Sequence, residues 1–128
     1  MSKKLLVIEN HRDVADAIGD IAGALDIIVR IVDDSRQAVA TFLSFEPDLV
    51  ILDMVMKDVD GIDVLNGLIT SGRDALIVLA ASLGIGEAYA RIAQGVARFH
   101  GLGPLPVLRK PFDAAQLREL LAQVPPLA

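Results

Sequence analysis

The chain has 128 residues, 53% of them apolar and 23% charged, with a net charge of −5 and no cysteine. That length and balance point to one globular domain and exclude a disordered tail. The absence of cysteine excludes a disulfide framework, a thiolate metal site and a cysteine nucleophile. The acidic balance argues against nucleic acid as a direct partner. Lys3 and Lys4 precede an apolar run too short for a signal peptide, and it ends at Glu9. No stretch is apolar for long enough to span a membrane, so a cytoplasmic location without membrane contact is expected.

Short apolar runs alternate with amphipathic segments along the chain. Leu5-Leu6-Val7-Ile8 reads as a buried strand closed by Glu9-Asn10. From Asp13 the spacing of Val14, Ile18, Ile21 and Leu25 becomes that of one helix face. Ile27 to Val32 is rich in β-branched residues and reads as a second strand. Asp34 or Ser35 is placed to cap a helix carrying Ala38, Phe42 and Leu43 inward, and Pro47 ends it. Leu49-Val50-Ile51-Leu52 is a third strand running directly into Asp53.

The turn-rich segment from Lys57 to Gly61 leads to a helix over Ile62 to Thr70, broken by Gly72. Leu76 to Leu79 reads as the fourth strand. The next helix carries Ile85, Tyr89, Ile92, Val96 and Phe99 at alternating steps of four and three, which reads as a core-facing stripe. Gly101 is suited to end it in a left-handed conformation. Val107-Leu108 is a short fifth strand, and Asp113 with Gln116 forms a capping box for a last helix through Leu121. Five apolar strands alternating with five helices predict an α/β fold, a doubly wound parallel sheet covered on both faces.

Ligands of such a sheet bind beyond the carboxyl ends of its strands. Glu9-Asn10, Asp53, Ser82 and Arg109-Lys110 all stand at those ends. Two carboxylates and a lysine converging on one rim suit a metal and a phosphoryl group. Carboxylate oxygens are ligands for Mg²⁺, and lysine is a point charge for phosphate. Polar residues at strand tips are common. A carboxylate following four apolar residues of a central strand is nonetheless costly unless paired or bound to a cation, which singles out Asp53.

Two segments carry a family resemblance. Leu49-Val-Ile-Leu-Asp53-Met-Val-Met-Lys-Asp-Val-Asp60-Gly61 resembles the phosphoacceptor segment of response-regulator receiver domains, and Arg109-Lys110-Pro111-Phe112-Asp113 resembles their Lys-Pro-Phe signature. The likeness covers about residues 3–122 of a receiver domain taken to span 1–128. It implies a flavodoxin-like (βα)5 sandwich with strand order 2-1-3-4-5, and a signalling module rather than an enzyme. It further implies that Asp53 accepts a phosphoryl group from a sensor histidine kinase or phosphotransfer protein, with Lys110 pairing the phosphoryl oxygens. Mg²⁺ would be held by Glu9, Asp53 and the backbone carbonyl of Val55, with Asn10 as a further ligand through its side-chain carbonyl. The Lys110-Pro111 bond would be cis.

The chain also departs from that family. Asn10 stands where a second acid is usual and adds no charge. Lys57 replaces a usual proline, and Val107 a usual aromatic. Ala80 occupies the position of a Thr or Ser, followed by Ala81, whose backbone is a candidate phosphoryl contact. Ser82 faces the same way as Ala80 but about 6–7 Å farther on. It could replace the missing hydroxyl if the strand ended early, and otherwise would cap the next helix.

His11 reads as a loop or helix-start residue, His100 as a helix C-terminal one, and Tyr89 and Phe99 as core. The chain stops soon after the last helix, at Gln123-Val-Pro-Pro-Leu-Ala. A stand-alone switch is therefore expected, acting by docking to a downstream protein and able to form a homodimer. The competing reading is a pseudo-receiver, a phosphorylation-independent interaction module. A flavodoxin-like nucleotide binder would need a Gly-rich loop where Glu-Asn-His-Arg stands.

Overall fold

The computed structural model describes residues 2–56 and 61–123. The expected Lys57–Gly61 turn, apart from Gly61, and the chain after Gln123 lie outside them. Alternating elements run in order: β1 (Lys4–Ile8), α1 (Arg12–Gly23), β2 (Ile28–Val32), α2 (Ala38–Phe45), β3 (Leu49–Asp53), α3 (Gly61–Thr70), β4 (Leu76–Ser82), α4 (Ile85–Phe99), β5 (Val107–Lys110) and α5 (Ala114–Ala122). The strands pair in the order β2-β1-β3-β4-β5, every pair parallel, as expected for a doubly wound α/β sandwich.

Strand side chains alternate between faces, and the core divides accordingly. Leu6, Ile8, Val50 and Leu52 pack with Phe42, Leu65, Leu68 and Ala93 from α2, α3 and α4. Leu5, Val7, Leu49, Ile51 and Val78 pack with Ile18, Leu117 and Leu121 from α1 and α5. Among the described residues no helix is long and apolar enough to cross a membrane.

The local punctuation follows the sequence closely. Asp34 accepts a bond from the Arg36 N–H and opens a single 3-10 turn, Ser35–Gln37, ahead of α2. Glu46, just before Pro47, ends α2 in a left-handed conformation. Gly101 does the same after α4, with φ +81°, and the Leu102 N–H returns to the Ala97 carbonyl. The Asp113–Gln116 capping box is fully formed.

Several inward assignments are corrected. In α4 the face on the sheet is Gly86, Ala90, Ala93 and Ala97, a row of the same helical period as the bulkier stripe. Small side chains let the helix axis lie close to the sheet, over the small Ala81 of β4. The bulky stripe therefore turns outward: Ile85 is 60%, Ile92 54% and Phe99 86% exposed, while Tyr89 and Val96 are partly buried on its flank. Leu25 and Leu43 are exposed as well. Leu25 lies past the end of α1, and in α2 the buried row is Ala38, Phe42 and Phe45. β2 is an edge strand with an exposed Ile28, so the sheet is not covered along its whole width.

Candidate functional site

The rim is built where β1, β3, β4 and β5 end. β3 lies between β1 and β4, which brings Ile8 beside Leu52 and Asp53 beside Ala80. Glu9 follows β1 directly and its N–H still pairs with the Val32 carbonyl at 3.0 Å. Both carboxylates are buried, Glu9 at 2% exposure and Asp53 at 4%. At the tip of β5 the Lys110-Pro111 peptide is cis, as the resemblance implies. Lys110 Nζ donates to Glu9 Oε1 at 2.5 Å and pairs with Asp53 Oδ1 at 3.2 Å. One ammonium thus spans two acids from separate strands. Gly61 opens α3 against the strand tip, where an added Cβ would sit 2.6 Å from the Asp53 carbonyl oxygen.

Two carboxyl groups share one ammonium in this buried rim, so ionising both would leave a net negative charge. The Glu9 carboxyl is pushed up to about 8, chiefly by burial and then by the neighbouring Asp53 carboxyl. Lys110 opposes that rise without cancelling it. Glu9 Oε2, Asn10 Oδ1 and Asp53 Oδ2 are buried oxygens without a hydrogen-bond partner among the described residues. Three such oxygens from residues at neighbouring strand ends are the donor chemistry of a hard divalent cation. The residues present therefore fit a bound Mg²⁺. The Val55 N–H lies 3.4 Å from Asp53 Oδ1, so the loop after β3 closes over the acid.

The β4 side of the rim is different. Ala80 stands in register with Asp53 and brings no hydroxyl; its carbonyl accepts the Met54 N–H at 3.0 Å. β4 continues through Ser82, so the strand does not end early, and the helix-capping position of α4 is Gly84. Ser82 therefore does not cap α4, and it reaches the rim at the last position of β4 rather than beyond an early strand end. Ser82 instead pairs in register with Lys110 and lines a cleft of about 430 Å³ with Asp13, Val14 and Ala17 of α1 and Lys110 to Phe112. Ala81 alternates to the opposite face and is buried with α4. Val107, in place of an aromatic, is 46% exposed beside a second cleft of about 360 Å³ between α4 and β5. Glu87 and Arg109 both line that cleft and pair at 2.8 Å.

His11 is a helix-start residue, as the sequence reading has it, and it also lies beside the acids. It stands at the N-cap position of α1 without capping it, and Nδ1 lies 3.5 Å from Glu9 Oε1. The available signal was its place directly after Glu9-Asn10.

The model of the response regulator receiver domain matches residues 5–122. The response regulator MprA of Mycolicibacterium vanbaalenii is 30% identical over 97% of this chain and 49% of its own length; the chain thus spans about half the length of the curated relatives it matches. Chemotaxis protein CheY4 of Vibrio cholerae superposes with a TM-score of 0.81 at 17% identity, over 98% of this chain and all of that one. The signal receiver domain of a response regulator from Bermanella marisrubri gives 0.79 at 25% identity, over 97% and 98% of the two chains. With the acid, the lysine and the cis proline on one rim of such a sheet, the chain belongs to the response regulator receiver domain family of two-component signalling.

Proposed function

We propose that this domain is a phosphoacceptor switch in which Asp53 takes a phosphoryl group from a sensor histidine kinase or a phosphotransfer protein. The observation that carries this reading is the convergence of Lys110 on Asp53 and Glu9 from three strands in a buried rim. Asp53 Oδ1 forms the new O–P bond as the donor's bond to phosphorus breaks, and the donor keeps that electron pair. Lys110 meets the developing charge on the phosphoryl oxygens, and the Val55 N–H steadies the carboxylate. Glu9, Asp53, the Val55 carbonyl and Asn10 would hold Mg²⁺, which neutralises charge on the transferring group. The backbone of Ala81 and the Ser82 hydroxyl are the candidates for the remaining phosphoryl contacts. Incubation with Mg²⁺ and a small acyl phosphate should add one phosphate to the intact mass. An unchanged mass would count against the switch.

A phosphorylation-independent interaction module is the second reading, favoured by Ala80 beside Asp53. Either form acts by docking, with a downstream protein as the switch's target and without direct contact to nucleic acid or membrane. For a homodimer the α4 stripe suits a second copy. Ile85, Ile92 and Phe99 recur every seven residues and are exposed, with the small Ala88 and Gly95 beside them. An antiparallel α4 that sets Ile92 over the second copy's Gly95 also sets Phe99 over its Ala88 and Ile85 over its Leu102. Large side chains then meet small ones at two of the three layers. A cytoplasmic location is part of the same reading.

A further inference from the structure

Glu9, His11 and Asp53 each bring one ligand-type atom to within 4.8 Å of the others. One ion can bridge that span with bonds of about 2.1–2.4 Å. Lys110 occupies Oε1 of Glu9 and Oδ1 of Asp53. The second oxygen of each carboxylate, Oε2 and Oδ2, is the one left buried and unpartnered. His11 Nδ1, at 3.5 Å from Glu9 Oε1, is beyond good hydrogen-bonding range. The imidazole makes no side-chain cap bond and is largely exposed, so it is free to turn toward the acids.

We propose that His11 ligates the divalent cation of this rim through Nδ1, so that the site accepts a first-row transition ion through an imidazole as well as carboxylates. This deepens the phosphoacceptor reading and rests on its cation site. Mg²⁺ selects oxygen ligands, whereas imidazole suits borderline ions such as Co²⁺ and Zn²⁺. Asn10 in place of an acid removes charge that would hold Mg²⁺, while His11 adds a donor that Mg²⁺ uses poorly. Both differences move the site the same way.

The test is calorimetric titration of the untagged chain with Co²⁺ and with Mg²⁺, for wild type, His11→Ala and Asp53→Asn. Most sites prefer Co²⁺ to Mg²⁺, so the dependence on His11, rather than the ratio itself, is diagnostic. His11→Ala should weaken Co²⁺ at least about tenfold and leave Mg²⁺ within about twofold. Zn²⁺ should also shift the ring nitrogen resonance of His11 while that of His100, the chain's other histidine, stays in place. Equal Co²⁺ affinity in wild type and His11→Ala, or an unmoved His11 resonance, would overturn the proposal. If Asp53→Asn abolishes binding of both ions and His11→Ala changes neither, the histidine assignment fails and the cation site stands. If wild type binds neither ion, the cation site and this proposal fall together; phosphorylation by an acyl phosphate reports separately on Asp53.

Discussion

The β1–β3 half of the rim and the β4 side next to it differ sharply in chemistry. At β1 and β3 the chemistry is dense: two buried acids bridged by Lys110 from β5, with three oxygens awaiting a partner. At the end of β4 and along β5 the residues that would sense a phosphoryl group are small or apolar, Ala80 and Val107. A buried carboxylate pair is expensive to keep without a purpose, because each charge loses its hydration. An alanine in a strand carries no comparable desolvation cost. The difference separates a rim side built from acids and a lysine from one that offers neither a hydroxyl at position 80 nor an aromatic at position 107. Any response to phosphorylation must still come from unequal stabilisation of two states, here without a hydroxyl at position 80.

The sharpest way to break this contrast is to remove the acceptor side. Asp53→Asn should abolish phosphate uptake completely, with the fold intact by circular dichroism. Lys110→Met comes next, because it leaves Glu9 and Asp53 buried against each other without their counter-charge. It should cost about 3 kcal/mol of stability and slow phosphorylation about a hundredfold, read by denaturant unfolding and by mass. Unchanged stability would mean that the three groups are not coupled as described.

A smaller effect concerns Glu9 and pH. Its carboxyl is raised in the folded chain from 4.5 to about 8, chiefly by burial, so the folded state holds that proton more tightly than the unfolded one. The stabilisation is complete below pH 4.5 and is lost as pH climbs toward 8. In the metal-free protein, Glu9→Gln should flatten this decline and be more stable than wild type at pH 8, by thermal melts across the range. It should also lose stabilisation by divalent cations. Parallel pH profiles for the two proteins would contradict the description of the rim.

Smaller still is the effect of restoring the missing hydroxyl. Ala80 is 2% exposed, so Ala80→Thr must fit a packed site and should cost about 1 kcal/mol. It should change the rate of phosphorylation or dephosphorylation roughly threefold to tenfold; no change would mean that another group fills that role. Phe99→Lys should have the least effect on the rim. It should leave phosphate uptake untouched while shifting any dimer to monomer in sedimentation velocity.

Much of this was legible in the sequence because it rests on local rules. The strands announce themselves as short apolar runs, and Pro47, Gly101 and Asp113 mark helix ends as their conformational preferences require. The acid–lysine rim was legible too, since parallel strands end on one side. What failed was the orientation of α4. Ala90, Ala93 and Ala97 share the period of Ile92, Val96 and Phe99, and hydrophobicity alone favours the larger set. Only the close approach of helix to sheet decides for alanine, and that is a three-dimensional constraint. The capping role read for Ser82 failed for a related reason: β5 pairs with β4 as far as Lys110 and so extends the strand. His11 carried no periodic signal, and its proximity to Glu9 and Asp53 depends on how the chain turns into α1.

One measurement bears most directly on the central claim. After incubation with Mg²⁺ and a small acyl phosphate, borohydride reduction converts an aspartyl phosphate to homoserine, and peptide mass spectrometry locates it. Homoserine at position 53, and at no other carboxylate, is the expected result. An unmodified position 53, with reduction elsewhere or nowhere, would contradict it.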